Sequence, residues 1–409
     1  MRFLISGVAF SGNKGAAGMA EALIRNLAER DSEAYFLVFS YYPIADAELR
    51  IPERVKILDG SPKRVVLLFF ASLLAGFGRL LHLPRRWYAR GEMGEIAGCD
   101  LWLDASGISF VDGREKFLIF NILSIFPALS CGVPVIKVAQ AMGPFQHRIN
   151  RWAAKLVLPR LKLIVARGAV TRSYLDSLEL KNIADGSDVA FSLPVSEQDR
   201  RDSLRWLPEA TGAVIAVSPS QVVWNFCERA RIPYLEILAD CVKGWIAAGY
   251  RCVVFPHSAR TGKQALHNND LPLLRRFAGL LPVSERIRVI DSELGAGELR
   301  ALIGNCQLLV ASRFHAIISA MATGVPAVVI GWSHKYAEVL APFELEEFVV
   351  PYDELSEDAV RQRAAKLLSD QVKFSRRIRA CSASIVAENA RMFDRLIQEA
   401  ALSRSRGRR

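Results

Sequence analysis

Ser312-Arg313-Phe314-His315 sets a permanent cation and a titratable imidazole two residues apart, after the apolar run Leu308–Ala311 and before the helical stretch Ala316–Ala322. With Ser312 as N-cap, Arg313 and His315 fall in the first helical turn. Free N–H groups there already favour an anion. A cation at that end opposes the helix dipole by roughly a few tenths of a kcal/mol. A bound anion would offset that cost, so the spacing points to an anionic ligand. A planar guanidinium suits carboxylate or phosphate, and an imidazole suits proton transfer near neutral pH.

Polar groups recur where other apolar runs stop. Arg167 follows Leu163–Ala166; a strand-end arginine commonly pairs with a nearby carboxylate, but none follows before Asp176. His257 follows Cys252–Pro256, and Gln140 opens Gln140-Ala-Met-Gly-Pro-Phe145 after Val133–Ala139. Ser106 and Gly107 follow Leu101–Asp104, and Asn13 and Gly15 lie in the loop Phe10–Gly15 after the first run. That loop is neither G-x-G-x-x-G nor a Walker pattern, and it reads equally as a plain turn. Neither Ser106 nor Ser312 sits in G-x-S-x-G, and no His, Asp and Cys set has metal-ligand spacing. Each residue alone also reads as structural. Together they converge on one cleft, with Arg167, Arg313, His257 and His315 its charged or titratable members.

The elements that must position these groups are short apolar runs alternating with helical stretches. The runs are Arg2–Gly7, Tyr35–Phe39, Leu101–Asp104, Val133–Ala139 and Leu163–Ala166, then Ala213–Ser218, Cys252–Pro256, Ile287–Ile290, Leu308–Ala311 and Ala327–Ile330. Such alternation predicts parallel sheets covered on both faces. The fold class is α/β, with two doubly wound Rossmann-like domains facing a cleft. Residues 1–195 are expected to form the N-terminal domain and residues 210–350 the C-terminal one. Pro194–Ser203 is the expected linker. Residues 355–402 form a helical segment packing back on the first domain, and 403–409 a basic, disordered tail.

Composition narrows the classes. The 409 residues are 51% hydrophobic and 23% charged, which is globular and not disordered. Seven scattered cysteines fit buried thiols better than disulfides. The net charge of +11 favours anionic partners. Nucleic acid ranks last, since no basic and aromatic platform is clustered in the core sequence. Val65–Phe77 is an uncharged run of thirteen residues, followed by Pro84-Arg-Arg-Trp-Tyr-Ala-Arg90. It is too short to span a bilayer and suits a buried helix or one lying in the membrane interface. Met1–Val8 reads as a strand and not a secretion signal. A cytoplasmic protein is expected, with peripheral contact at the inner face of the plasma membrane.

Through these residues the chain resembles the polysaccharide pyruvyl transferase family. The likeness runs from Gly12-Asn-Lys-Gly15 through Asp104-Ala-Ser-Gly107, Gln140–Phe145, Arg167, Asp188-Val-Ala-Phe191 and Phe255-Pro-His257. It ends with Ser312–Ala316, Gly324-Val-Pro326 and Lys335-Tyr336. Two positions depart from the family pattern: Ala16 follows Asn13-Lys-Gly15 and Gly168 follows Arg167, each where the family has an acid. The resemblance implies a B-type glycosyltransferase fold and transfer of a pyruvyl group from phosphoenolpyruvate to two sugar hydroxyls, making a ketal and releasing phosphate. It implies an acceptor side in residues 1–195 and a donor side in residues 210–350, with Arg313 and His315 holding the donor and Arg167 completing the clamp from the opposite domain. Imidazole chemistry then makes His315 the expected acid/base, with His257 accessory. Asn13, Gly15, Ser106, Gly107, Gln140, Ser312 and Lys335 would line the substrate. The partners would be phosphoenolpyruvate and a glycan or lipid-linked saccharide acceptor of a cell-surface polysaccharide or exopolysaccharide. No nicotinamide, flavin or metal is required. The alternatives are a nucleotide-sugar glycosyltransferase, with Glu298 or Glu338 on the ribose, and a silent partner in polysaccharide assembly.

Overall fold

The apolar runs become parallel strands in a computed structural model that describes residues 1–49, 54–260, 269–332 and 335–407. Chain contacts divide the protein into two units. The first holds Met1–Ser11, Met19–Val189 and Ala387–Arg409; the second holds Gly12–Gly18 and Ala190–Val386. The boundary therefore falls at Val189, and the loop expected in the first domain belongs by its contacts to the second. The expected linker is a helix, Glu197–Leu204, and not a loose connection. Ser196 Oγ accepts from Asp199 N at 3.0 Å while Asp199 Oδ2 accepts from Ser196 N at 2.9 Å, a reciprocal cap that starts the helix.

The first unit's sheet contains β1 (Arg2–Val8), β2 (Tyr35–Ser40), β3 (Val55–Asp59), β4 (Leu101–Asp104), β5 (Ile108–Val111), β6 (Val135–Gly143), β7 (Leu163–Arg167) and β8 (Ile183–Gly186). Its order is β3-β2-β1-β4-β6-β7-β8, with β5 paired to β6. The second sheet contains β9 (Val214–Ser218), β10 (Arg251–Val254), β11 (Ile287–Val289), β12 (Leu308–Ala311), β13 (Ala327–Gly331) and β14 (Val349–Pro351). Its order is β11-β10-β9-β12-β13-β14, the doubly wound arrangement in which connections reverse between β9 and β12. All pairings are parallel. The central strands are fully buried, which is why they are continuous apolar runs.

The strands absent from the sequence reading, β3, β5, β8 and β14, lie at sheet edges or beside the main path. They are buried on fewer sides and their apolar signal is short. β6 runs to Gly143 because β5 pairs with its end, Ile108 with Ala141, so Gln140 lies inside a strand and not in a loop. Trp102, Phe110, Met142 and Phe145 pack in the core beside these strands.

Pro62–Leu80 is one helix of 19 residues, begun by Pro62 in its first turn. It buries a stripe of Val65, Leu68, Ser72, Ala75 and Gly78 but leaves Phe70 60% and Leu74 72% exposed, so it is not a buried core helix. No described helix is long and apolar enough to cross a membrane. The C-terminal segment forms helices Glu357–Ser369 and Gln371–Gly407. The second runs through most of the tail expected to be disordered, its final arginines suiting the negative end of the dipole. Arg408 and Arg409 lie outside the described residues. Within the first unit, Asp394 accepts from Arg30 Nε at 2.6 Å and Glu399 pairs with Lys162 at 3.0 Å. All seven cysteines are free thiols.

Candidate functional site

In the second unit the polar residues gather where β9 and β12 end side by side. Ser312 N donates to Ser218 O at 3.3 Å, which holds the two strand ends together. The helix Phe314–Thr323 starts one residue later than expected: its N-cap is Arg313, at φ −104° and ψ 126°. Ser312 is buried, its hydroxyl 2.9 Å from Tyr234 Oη and its carbonyl accepting from Tyr336 Oη at 3.1 Å. Burial holds Tyr234 well above its ordinary pKa and pushes Tyr336 up to about 12, so both phenols stay neutral donors. Ser312 thus braces the strand end rather than capping the helix.

The cation at the helix start has an internal offset. Asp270, fully buried, accepts from Arg313 Nε at 2.9 Å and from Nη2 at 2.5 Å. The same carboxylate accepts from Ser258 N at 3.0 Å and Gln221 N at 2.9 Å. The anion that the sequence demanded beside Arg313 is therefore a side chain of the protein. Asp270 lies next to no motif, and only the fold brings it there.

The loop Gly12–Gly18 completes this site. Asn13 Oδ1 accepts from Gly15 N at 3.1 Å, and Asn13 bridges Ser258. Lys14 is buried and pairs with Glu293 at 2.5 Å, whose carboxylate also accepts from Gly12 N at 3.0 Å. The imidazole of His315 lies against Gly15 so closely that a Cβ there would fall 2.6 Å from its Cε1. His257 is buried too, and its pKa lies well below the ordinary value, first through burial and then through His315, Arg313 and Lys14. It is a neutral imidazole. Lys14, Gly15, His257, Ala296, Arg300 and His315 line a small pocket. Helices begin at Lys14, Ala296 and Phe314, so first-turn N–H groups join an ammonium and two imidazoles. Arg300 braces the wall, donating to Phe191 O at 3.2 Å and Leu193 O at 2.9 Å. The arrangement suits a small anion and proton transfer to or from it.

The first unit holds the other expected residues. Arg167 ends β7 and pairs with the buried Asp188 at 3.0 Å, so the carboxylate missing at Gly168 comes from 21 residues further on. Gly107 takes a positive φ of 67° beside it, with Arg167 Nη1 4.0 Å from where a Cβ would stand. Asp104 holds the Ser106 hydroxyl and accepts from Ser106 N at 3.1 Å. Its other oxygen pairs with the fully buried Lys137 at 2.5 Å. Gln140 spends its amide internally, donating to Asp104 O at 2.6 Å and accepting from Ser109 Oγ at 2.5 Å. It supports the turn. Phe39, Tyr41, Trp102, Phe120, Ser6 and Ser106 line a second, mostly apolar pocket. Burial, and then Asp104, raise the Tyr41 pKa. The sequence offered little sign of Lys137 or Tyr41, which lie inside ordinary strand and loop segments. The Lys335 side chain lies outside the described residues. Among those described, no group of three His, Cys, Asp or Glu could hold a metal ion.

Two successive Rossmann-like units, with polar groups at the reversal of the second sheet, define the α/β architecture of B-type glycosyltransferases and related sugar-nucleotide enzymes. The fold of UDP-GlcNAc 2-epimerase from Neisseria meningitidis is similar, with a TM-score of 0.57 over 96% of this chain and 100% of that one at 11% identity. So is that of α,α-trehalose 6-phosphate synthase from Burkholderia multivorans, at a TM-score of 0.52, 14% identity and coverage of 100% and 98%. Sequence likeness is narrower. The profile of the polysaccharide pyruvyl transferase family matches residues 13–334, and the chain belongs to that family. A relative, the amylovoran biosynthesis protein AmsJ of Erwinia amylovora, is 21% identical over 398 residues, spanning 92% of this chain and 94% of its own.

Proposed function

We propose that the protein transfers a pyruvyl group from phosphoenolpyruvate to two hydroxyls of a sugar in an exopolysaccharide precursor, forming a ketal and releasing phosphate. The family match and the relative's part in amylovoran biosynthesis support the acceptor class. The observation that carries the donor assignment is the pocket of the second unit, where Lys14, His257 and His315 meet three helix starts. Phosphoenolpyruvate carries a phosphate and a carboxylate on three carbons. N–H groups at helix starts and an ammonium bind such oxygens without a net positive cavity.

In this reading one sugar hydroxyl adds to C2 and its proton is taken up as C3 becomes methyl. The second hydroxyl then displaces phosphate from C2 and gives its proton to the leaving group. His315 handles the proton, since an imidazole is both donor and acceptor near neutral pH. Asp270 fixes the Arg313 guanidinium so that its orientation is set before substrate arrives. Glu293 is partly exposed, whereas Asp270 is fully buried. Lys14 can therefore turn from Glu293 to an incoming phosphate, while Arg313 stays with its partner. Arg167, held by Asp188 in the first unit, has no step assigned.

Phosphate release from phosphoenolpyruvate, followed with soluble pyruvate-free acceptor glycans, tests the reading. Turnover should appear only with a diol acceptor, and His315→Ala should lower it by about 10²–10⁴. Thermal stabilisation by a uridine diphosphate sugar, with no phosphate release from phosphoenolpyruvate, would instead make the protein a nucleotide-sugar enzyme.

A further inference from the structure

The first unit carries an apolar face that its own described residues leave exposed. Helix Pro62–Leu80 is apolar on both sides, yet only one stripe packs inward, and Phe77 is left 61% exposed. Helix Leu118–Leu123 packs against it and also against helix Arg148–Val157, so the three are contiguous. Ile119 of the middle helix is 71% exposed.

Helix Arg148–Val157 has two parallel outward stripes. Ile149, Trp152 and Leu156 form one, with Trp152 67% exposed; Arg148, Arg151 and Lys155 form the other. None of these three cations has a carboxylate partner among the described residues. The inward side is Asn150, Ala153, Ala154 and Val157. A tryptophan flanked by cations on a short amphipathic helix is suited to the headgroup layer, where ring and charge both find partners. The surrounding sequence has the matching charge. Gly60–Gly91 contains six Lys and Arg and no Asp or Glu, and Lys116–Leu175 contains nine and again no acid. Lys137, Arg167, Arg64 and Lys162 are taken up by Asp104, Asp188, Glu92 and Glu399, and Arg172 by Asp176 and Asp185, whereas Arg148, Arg151 and Lys155 stand exposed on the face.

We propose that this face seats the protein on an anionic lipid bilayer, with Trp152 and the outer side of Pro62–Leu80 entering the headgroup boundary and Arg148, Arg151 and Lys155 meeting lipid phosphates. Acidic protein partners fit less well, because a continuous apolar ridge runs through the charge. The inference rests on the surface alone and is independent of the donor assignment.

Sedimentation of the full chain with vesicles tests it. Phosphatidylcholine vesicles containing about a third phosphatidylglycerol should bind, neutral phosphatidylcholine vesicles should bind far less, and high salt should weaken the difference. Replacing Arg148, Arg151 and Lys155 together by Gln should lower partitioning on the order of a hundredfold, given the attraction of each surface cation to anionic lipid. Trp152→Glu should lower it as well, with melting temperature unchanged because the side chain is exposed. Equal binding to both vesicle types, or binding indifferent to both variants, would overturn the proposal. So would a stable dimer that Trp152→Glu converts to monomer, since the face would then belong to a second copy. Vesicle binding without any turnover would leave this inference standing and count against the pyruvyl reading only.

Discussion

Gly15 sits in the first turn of helix Lys14–Arg30 with the His315 imidazole laid against it. An alanine Cβ at this position overlaps the ring, with Cε1 only 2.6 Å away. Carbon atoms in contact rest about 3.5–4.0 Å apart, so the ring must move by roughly 1 Å. The atoms struck include Cγ at the root of the ring, so the imidazole cannot clear the methyl by its far end alone. Overpacking of this kind costs about 1–3 kcal/mol. Gly15→Ala should therefore lower stability by about that amount and leave the protein folded. Misplacing the reacting imidazole by about 1 Å should nevertheless lower kcat on the order of a hundredfold. That corresponds to about 2.7 kcal/mol of transition-state stabilisation. Gly76→Ala, in helix Pro62–Leu80 and away from this pocket, is the control: its Cβ would meet Ser130 Cβ and Oγ at 3.6 Å, ordinary contacts. It should keep turnover within a few-fold. Phosphate release and a thermal melt on both variants decide the matter. Full activity in Gly15→Ala would refute the role given to His315, and loss of the folded state would refute the estimate that the ring yields.

Asp270→Asn should destabilise the second unit, because a fully buried carboxylate serving Arg313 and two backbone N–H groups loses its charge and one acceptor. Breaking such a pair costs about 3–5 kcal/mol, and urea unfolding that shows a loss under about 1 kcal/mol would mean the pair does not form in solution. His257 supplies a pH dependence. Its folded pKa lies well below the ordinary value of 6.5, so the folded state binds fewer protons than the unfolded chain. Stability is then fully present above about pH 6.5 and declines as the pH falls, by at most about 1.4 kcal/mol per pH unit. His257→Gln should flatten that acid limb in thermal melts recorded between neutral and mildly acidic pH.

How much was legible varies with the range of the interaction. Strands buried on both sides, such as β4 and β12, were found with their bounds, because full burial demands an unbroken apolar run. Edge strands β3 and β8 were not, since Lys56 and Asp185 interrupt them at little cost where one side is open. The capping box at Ser196 was present in the sequence and outweighs the polar composition that reads as a linker.

The sequence by itself determined the alternation of strands and helices, the family, and the motif residues Asn13, Gly15, His257, Arg313 and His315. Local periodicity and short spacings carry that information. Only the tertiary structure decided who partners the charges. Asp270 reaches Arg313 across 43 residues, Glu293 reaches Lys14 across 279, and Asp188 reaches Arg167 across 21. A buried charge must find a counter-charge, but the requirement leaves the partner's place in the chain open, and the strand order settles it.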